Sequence, residues 1–378
     1  MPETNYLTKM SLANWLYRLL PRPEARNRHR FDPAGVRSVV VFRAGPNPTY
    51  SYYLENRLAC LSLPVQVYDA PCLPQDGHGE GAFVILCRYA TPAQIWWLIR
   101  HRKRISGLSL LIDDDIAATV IEGQSALPYR MYLFGCGLLP LMVLNRWMTH
   151  VWASTEALGK ALSTSDVVPP LPSNTQLQHH GKRVEHGTRL RLIYHATGAH
   201  DGEHRFLMPI VQQLMHRFSE LQFEVIASKR AARTWEDTLH EVIDRVSIQP
   251  KTTWEAYLDA TAKAEGGIML VPLLSGRVNS VRADTKRIDI CRMGLAAVFS
   301  ASPVYARRRE PDDILIENDP EIWIETVSQL LRDAALRDMS GKAVVNSTAR
   351  MIRHTGPWLP GLENFINAPQ SVDTKNTT

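Results

Sequence analysis

The chain is predicted to be an α/β protein of two Rossmann-like, doubly wound domains that face each other across a cleft. Three observations carry this prediction. Apolar runs of strand length alternate with longer stretches of helical spacing, the pattern of a parallel sheet covered by helices. The apolar runs are continuous, as in Ser38 to Phe42 (SVVVF), which suits strands buried on both faces. The alternation comes in two series, separated by a stretch of prolines and polar residues.

Bulk properties agree. The 378 residues exceed one typical core and suffice for two domains. Hydrophobic content of 45% and charged content of 21% are ordinary for a soluble globular protein. The net charge of +5 suits an anionic substrate or an anionic membrane surface. It is too small to point to nucleic acid, and neither a zinc-finger nor a helix-turn-helix signature is visible. Cys60, Cys72, Cys87, Cys136 and Cys291 are scattered, without CxxC spacing. That argues against a zinc site or disulfide framework and fits a reducing cytoplasm. The N-terminus lacks the apolar core of a secretory signal. The most apolar later run, Gly135 to Leu144, is broken by Pro140 and at roughly ten residues is too short to span a bilayer.

Residues 1–30 form a basic arm. Met10, Leu12, Trp15, Leu16, Leu19 and Leu20 recur at helical spacing among Arg18, Arg22, Arg26, Arg28 and Arg30. Two readings are open. The helix packs on the domain surface, or it lies on anionic lipid at the cytoplasmic face of the inner membrane.

The first series spans 31–165. Strands are expected at Ser38 to Phe42, Val65 to Tyr68, Phe83 to Cys87, Leu108 to Ile112 and His150 to Ala153. Helices are expected at Tyr50 to Leu61, Thr91 to Arg104, Leu138 to Thr149 and Thr155 to Leu162; Thr91 followed by Pro92 is an N-cap with proline at the first helical position. Residues 166–188 begin VVPPLP from Val167, turn polar, and read as the linker. The second series, 189–355, opens with the strand Leu190 to Tyr194 and the loop His195 to His200. A helix at Glu203 to Phe218, strands at Phe223 to Ile226 and Arg245 to Ile248, and a helix capped by Thr253 follow. Beyond them come the strand Gly267 to Val271, a strand at Ile314 to Ile316, and helices at Pro320 to Arg332 and about Ser340 to His354. Residues 356–378 form a polar tail.

The stretch Val271 to Tyr305 organises this second domain. A buried strand stops at Pro272, a polar loop carries Asn279, Arg282 and Lys286, a helical pattern runs to Gly294, and the strand Ala296 to Ser300 follows. Loops at the carboxyl edge of a parallel sheet, with helix N-termini and cationic side chains, form anion sites. The expected ligand is the diphosphate of a nucleotide sugar. Lys286 and Arg282, four residues apart, would share one helix face and could stabilise charge building on a departing phosphate.

Four segments carry a family resemblance: RLIYHATGAHDGEHRFL, QPKTTWEAYLDATAKAEGGIMLVPL, NSVRADTKRIDICRMGLAAVFSASPVY and ILIENDPEIWIETVSQLLRD. In their order and spacing over about 189–350, with a weaker echo over 37–165, the chain resembles the GT-B glycosyltransferases, specifically family 4 and its family-1-like relatives. The segment CRYATPAQIWWLIRHRKRISGLSLLIDDDIAA is also similar to glycosyltransferases of bacterial polysaccharide clusters.

The resemblance implies transfer of a sugar from a nucleotide-diphosphate donor to a glycan or lipid-linked acceptor in bacterial surface polysaccharide synthesis. No separate cofactor and no metal are implied. Lys286 matches the diphosphate-binding lysine, and Asp289 stands where a carboxylate holds the ribose hydroxyls. A further carboxylate, which contacts the donor sugar in the family, would fall on Val281, so either Asn279 or Arg282 does that work or the donor is held differently. Gly198 matches the glycine-rich loop; His200 or Arg205 would supply the charge of a missing lysine there. The N-terminal domain would hold the acceptor.

Asp113, Asp114 and Asp115 end an expected strand. They read as helix capping and solvated charge, as a catalytic base on the acceptor hydroxyl, with Asp113 first, or as a Mg²⁺ site. Acceptor contact is favoured over metal. Arg43 and Asn47, after the first strand, are further acceptor-side candidates. No nucleophile elbow, HExxH or Walker A sequence is present. Two other readings remain: a nucleotide-sugar epimerase of the same fold, and a non-catalytic module that binds a glycan or partner.

Overall fold

The computed structural model describes residues 12–75, 77–122, 125–177, 190–196, 200–264 and 266–367. The chain forms two compact units. One comprises Pro21–Asp113, Cys136–Ser173 and Thr355–Thr378; the other comprises Met1–Leu20, Asp114–Gly135 and Asn174–His354.

The first unit is built on five parallel strands: β1 (Ser38–Arg43), β2 (Val65–Asp69), β3 (Ala82–Cys87), β4 (Gly107–Ile112) and β5 (His150–Ala153), in the order β2-β1-β3-β4-β5. Burial follows that order. Val39, Val40, Val41 and Phe42 of β1 have no exposure, all six residues of β3 are buried, and edge strand β2 is only half-buried. Each buried Val, Leu, Ile or Phe contributes about 1.5–3 kcal/mol, so continuous apolar strands are driven to the centre. The helix Pro92–His101 starts where the sequence predicts, in a capping box between Thr91 and Gln94. The order reverses between β1 and β3, which puts the loops after these strands at the sheet's topological switch point.

The second unit carries β6 (Arg191–His195), β7 (Gln222–Ile226), β8 (Val246–Gln249), β9 (Ile268–Val271), β10 (Ala296–Ser300) and β11 (Ile314–Ile316). All pair in parallel, in the order β11-β10-β9-β6-β7-β8. Helices cover both faces. Leu192, Leu207, Trp235, Val298 and Trp323 fill one core, and Ile193, Met269, Phe299 and Val344 the other, so successive residues of one strand serve opposite faces. The switch point lies between β6 and β9.

Several elements differ from the sequence reading. The helix expected from Leu138 begins earlier, with Leu127–Tyr132, a π-helical turn Leu133–Leu138 and a short helix Leu141–Leu144. The stretch Leu127–Leu144, 18 residues of mean hydropathy 1.4 and 33% buried, is long and apolar enough, by length and composition, to cross a membrane. The expectation of too short a run is corrected: it stopped at Gly135 and left out the apolar turns before it. Tyr50–Glu55 is π-helical rather than α-helical. A helix Lys229–Thr238, capped by Ser228, was not foreseen, because its buried side chains are only Ala231 and Trp235. The helix Ile116–Glu122 was also missed. Of the proline-rich stretch, Val168 and Leu171 are buried, Val167 pairs with Ala153, and the Leu171 amide donates to the Tyr52 carbonyl.

Candidate functional site

The candidate site lies in the unit of β6–β11, beside the switch point. β6 ends at His195, and the helix Lys286–Met293 begins next to it. Lys286 is therefore the first residue of that helix rather than part of a loop. Its Nζ donates to the His195 carbonyl at 2.8 Å and lies 3.8 Å from an Asp289 carboxylate oxygen. Gly294 ends the helix in the left-handed conformation that glycine adopts without a Cβ clash (φ 66°). Asp289 is also held by Arg292, whose Nη2 donates at 2.8 Å while its Nε donates to Thr261 Oγ1 at 2.8 Å. The lysine keeps 33% of its side chain exposed against 9% for the aspartate. Burial lowers the Lys286 pKa, Asp289 opposes the shift, and the Arg282 and Arg292 guanidiniums add to it.

Arg282 is the second cation. Its Nε donates to Asp114 Oδ1 at 3.1 Å, and its Nη1 lies 3.1 Å from His200 Nε2. Burial lowers the pKa of His200, and the neighbouring guanidinium adds to that. A neutral imidazole accepting from Arg282 at Nε2 carries its proton on Nδ1, which faces Glu203 Oε2 at 3.7 Å. Burial alone would lower the Arg282 pKa as well, but Asp114 and Glu203 outweigh it and raise it.

Glu203 is the residue that the sequence did not single out. It is fully buried in the first turn of the helix Asp201–Arg217. Its Oε1 accepts from Asn279 Nδ2 at 2.9 Å and from the Leu274 amide at 3.3 Å. Burial pushes its pKa up, but the nearby His200 and the main-chain amides of Glu203 and Leu274 win and hold it at about 2, so it is ionised at neutral pH. Asn279 also donates to the Leu274 carbonyl at 2.9 Å. One buried carboxylate thus pins the loop after β9 to the helix after β6. A second one, Glu224, holds β6: its two oxygens meet His195 Nε2 at 2.8 Å and Arg191 Nη1 at 3.0 Å.

Direct contacts thus join Lys286 to Asp289, and Arg282 to His200 and Asp114, with Asn279 bound to Glu203; the Arg282 charge is felt at Lys286. Arg205 is exposed and bonds the Asp201 carbonyl of its own helix. Gly198 lies outside the described residues. Val281, where the resemblance expects a carboxylate, is buried at 7% exposure. The aspartate triplet divides. Asp115 accepts from the Ala118 amide and from the Tyr17 hydroxyl, a capping role. Asp114 holds Arg282. Asp113 belongs to the other unit, where it pairs with Arg88 at 2.8 Å and accepts from Thr49 Oγ1 at 2.6 Å.

In that unit the cluster sits at the carboxyl ends of β3 and β4. Arg88 has φ 70°, a conformation that costs about 1–3 kcal/mol in a non-glycine residue and is retained where surroundings dictate it, commonly at functional sites. Arg88 was not foreseen, and backbone angle leaves no mark on a sequence. Arg43 pairs with Asp69 and lies 4.4 Å over the Tyr50 ring. The Asn47 side chain accepts from the Tyr50 amide and donates to the Gly45 carbonyl, so it builds the turn after β1. Among the described residues, no three His, Cys, Asp or Glu side chains gather as metal ligands.

No protein-family model matches the chain, and no curated protein sequence matches it. Solved structures with a similar course of chain exist. An S. aureus TarM mutant in complex with fondaparinux, alpha-GlcNAc-glycerol and UDP is 10% identical, with a TM-score of 0.46 over 73% of this chain and 53% of TarM. The pneumococcal O-GlcNAc transferase GtfA in complex with UDP and GlcNAc is 12% identical, with a TM-score of 0.46 over 75% of this chain and 55% of GtfA. S. aureus MnaA with UDP is 10% identical, with a TM-score of 0.44 over 84% of this chain and 96% of MnaA. The chain spans about half the length of TarM and of GtfA.

Proposed function

We propose that the protein is a GT-B glycosyltransferase that binds a nucleotide-diphosphate sugar at the Lys286–Asp289–Arg282 cluster. The observation that carries this reading is the one-turn pairing of Lys286 with Asp289 beside the end of β6, at a sheet switch point. A reachable ammonium suits the diphosphate, and a carboxylate one turn on suits vicinal ribose hydroxyls. As the glycosidic bond breaks, charge builds on the leaving phosphate. Fixed cations that need no reorganisation at that moment stabilise it. Arg282, fastened by Asp114, is the second such cation. No separate cofactor is needed for this chemistry.

Asp113, with Thr49 and Arg88, is the acceptor-side group in this reading. A carboxylate within hydrogen-bond reach of a hydroxyl, as Asp113 is of Thr49, has the geometry to orient or deprotonate an acceptor hydroxyl. The acceptor would be a glycan or lipid-linked glycan of a bacterial surface polysaccharide. The test is isothermal titration of the protein with UDP, GDP, dTDP and their sugar conjugates, followed by an assay for donor-dependent release of the nucleotide. Binding with release supports transfer. Absence of binding to every member of the panel overturns the reading.

The same reading takes the protein as cytoplasmic and peripheral at the inner membrane. Exposed Leu12, Trp15, Leu16 and Leu19 on the helix at 12–19, and exposed Leu127 and Met131, support it, because amphipathic helices with apolar faces and flanking cations bind anionic bilayers. Replacing Leu12, Trp15, Leu16 and Leu19 together by Ser should reduce co-sedimentation with phosphatidylglycerol vesicles at least severalfold. Equal sedimentation of the variant and the natural protein would assign these residues to another contact.

A further inference from the structure

The helix at 12–19 has two different sides. Leu12, Trp15, Leu16 and Leu19 share one side at helical spacing and are between 42% and 62% exposed. The opposite side carries Asn14 and Tyr17, and both reach the segments that hold Arg282. We propose that this helix positions Arg282, with Tyr17 as the positioning residue, and that an anionic bilayer on its apolar side is the partner that completes the arrangement. The inference rests on the reading of Arg282 as a donor-site cation and adds to it a regulating partner.

Two stretches of chain meet at Arg282. The short helix Arg277–Ser280 leads into it. Asp114, which accepts from its Nε at 3.1 Å, stands just before the helix Ile116–Glu122. Tyr17 grips both stretches. Its hydroxyl donates to Asp115 Oδ2 at 2.6 Å, and the Arg277 guanidinium lies 4.1 Å over its ring, a cation–π contact. Asn14 Oδ1 accepts from Arg277 Nη2 at 2.5 Å. Glu122 closes the circuit: the main-chain amides of Val278 and Arg277 bond its carboxylate, and Arg277 Nε lies 4.0 Å away. Tyr17 thus acts on Arg282 through the neighbour of Asp114 on one stretch and through Arg277 on the other.

This grip is marginal in water. The eight residues 12–19 are fewer than the roughly 12–15 that an isolated helix needs. None of them is buried, so the packing that stabilises most helices is weak here. The polar contacts of Asn14 and Tyr17 then carry much of its hold. A bilayer supplies the missing burial, because an amphipathic helix sinks its apolar side into the headgroup boundary. Charge selects an anionic surface. Lys9, Arg18 and Arg22 lie in a stretch without Asp or Glu between Glu3 and Glu24, and Arg18 is exposed on the helix itself. A ligand shifts an equilibrium by its differential affinity for the two states. A bilayer that binds the formed helix therefore favours the gripped Asp115 and Arg277, and with them a fixed Arg282. By linkage, donor binding strengthens attachment to the bilayer by the same factor.

The experiment uses the full chain with phosphatidylglycerol vesicles, with phosphatidylcholine vesicles and without lipid. Affinity for the preferred nucleotide sugar is measured by isothermal titration. Amide hydrogen exchange over 114–120 and 276–282 is measured without nucleotide. Phosphatidylglycerol should tighten donor binding about fivefold, the scale of one or two polar contacts, and slow exchange in both stretches. Phosphatidylcholine should do neither. Tyr17→Ala keeps the apolar side, so it should still co-sediment with phosphatidylglycerol, yet lose both effects. Tyr17→Phe, which keeps a ring for Arg277, should retain part of each. A helix that only anchors the protein would leave Tyr17→Ala responding like the natural protein, and that result overturns the assignment. Unchanged exchange in the natural protein on anionic vesicles overturns it too. So does equal slowing without lipid at raised protein concentration, which makes a second copy the occupant. If the natural protein binds no nucleotide while anionic vesicles slow exchange in a Tyr17-dependent way, the nucleotide reading fails and the coupling of bilayer to Arg282 stands.

Discussion

Lys286→Ala is expected to lower the turnover number by about 10²–10³-fold, the scale seen when one preorganised charge-stabilising donor is removed. The loss should appear mainly in turnover, with a smaller rise in KM for the donor, because leaving-group charge is greatest in the transition state. The fold should persist. The Lys286 side chain is one-third exposed, and among the described residues its hydrogen bond goes to a main-chain carbonyl. Circular dichroism and a thermal melt would check that, beside steady-state kinetics with the preferred donor. Lys286→Arg keeps a charge but not the compact ammonium, and should recover only part of the rate. Full activity in the alanine variant would remove the phosphate assignment and leave Lys286 as a helix-start residue.

The largest effect on stability is expected one position further on. Arg287 has no exposed side-chain surface. It donates to Asp284 at 2.5 Å and to Asp313 at 2.7 Å, and its guanidinium lies 4.3 Å over the Phe299 ring. Asp284 and Asp313 are themselves almost wholly buried. Arg287→Met fills much of the volume but leaves two carboxylates without their cation. The expected cost is about 3–5 kcal/mol, the range for breaking a buried ion pair from one side. Urea denaturation followed by fluorescence would measure it. The triple change Arg287→Met, Asp284→Asn, Asp313→Asn should recover a large part of the loss, since it removes the stranded charges too. A loss below about 1 kcal/mol for the single variant would show that water or rearrangement already satisfies these aspartates. Neighbouring positions thus have opposite duties: Lys286 serves the ligand, Arg287 fixes the helix that presents it.

The fold was largely legible because parallel strands buried on both faces leave an unbroken apolar signature, as in SVVVF and AAVFS. The helix Lys229–Thr238 was not, since only Ala231 and Trp235 face the core and the rest reads as a solvated loop. The membrane-length apolar stretch was undercounted because glycine and proline within it break up the apolar pattern, so the run was counted only from Gly135. In the candidate site, Lys286, Asp289 and Arg282 could be named because they sit within one short segment whose spacing carries meaning. Glu203, Glu224 and Arg88 come from distant segments. Each is an ordinary charged residue in sequence, and only its burial, its partners or its backbone angle distinguishes it. Asp113 and Asp114 are adjacent, yet they belong to different compact units.

That last division has a bearing on how the protein is made. The chain passes from one unit to the other after Leu20, Asp113, Gly135, Ser173 and His354. During synthesis, neither unit is complete when its own sheet has emerged. The unit of β6–β11 takes up a helix made long before its first strand, and the earlier unit waits for Ile366 to bridge Leu61. A ribosome-bound chain halted near residue 175 would therefore hold the β1–β5 sheet beside two segments, the 12–19 helix and 114–135, that belong to the unit not yet made. Segments of that kind are ready clients for a chaperone or a membrane surface during elongation. Dividing the gene at the proline-rich stretch would strand Asp114, the partner of Arg282, on the wrong piece, so neither half on its own would contain the whole site.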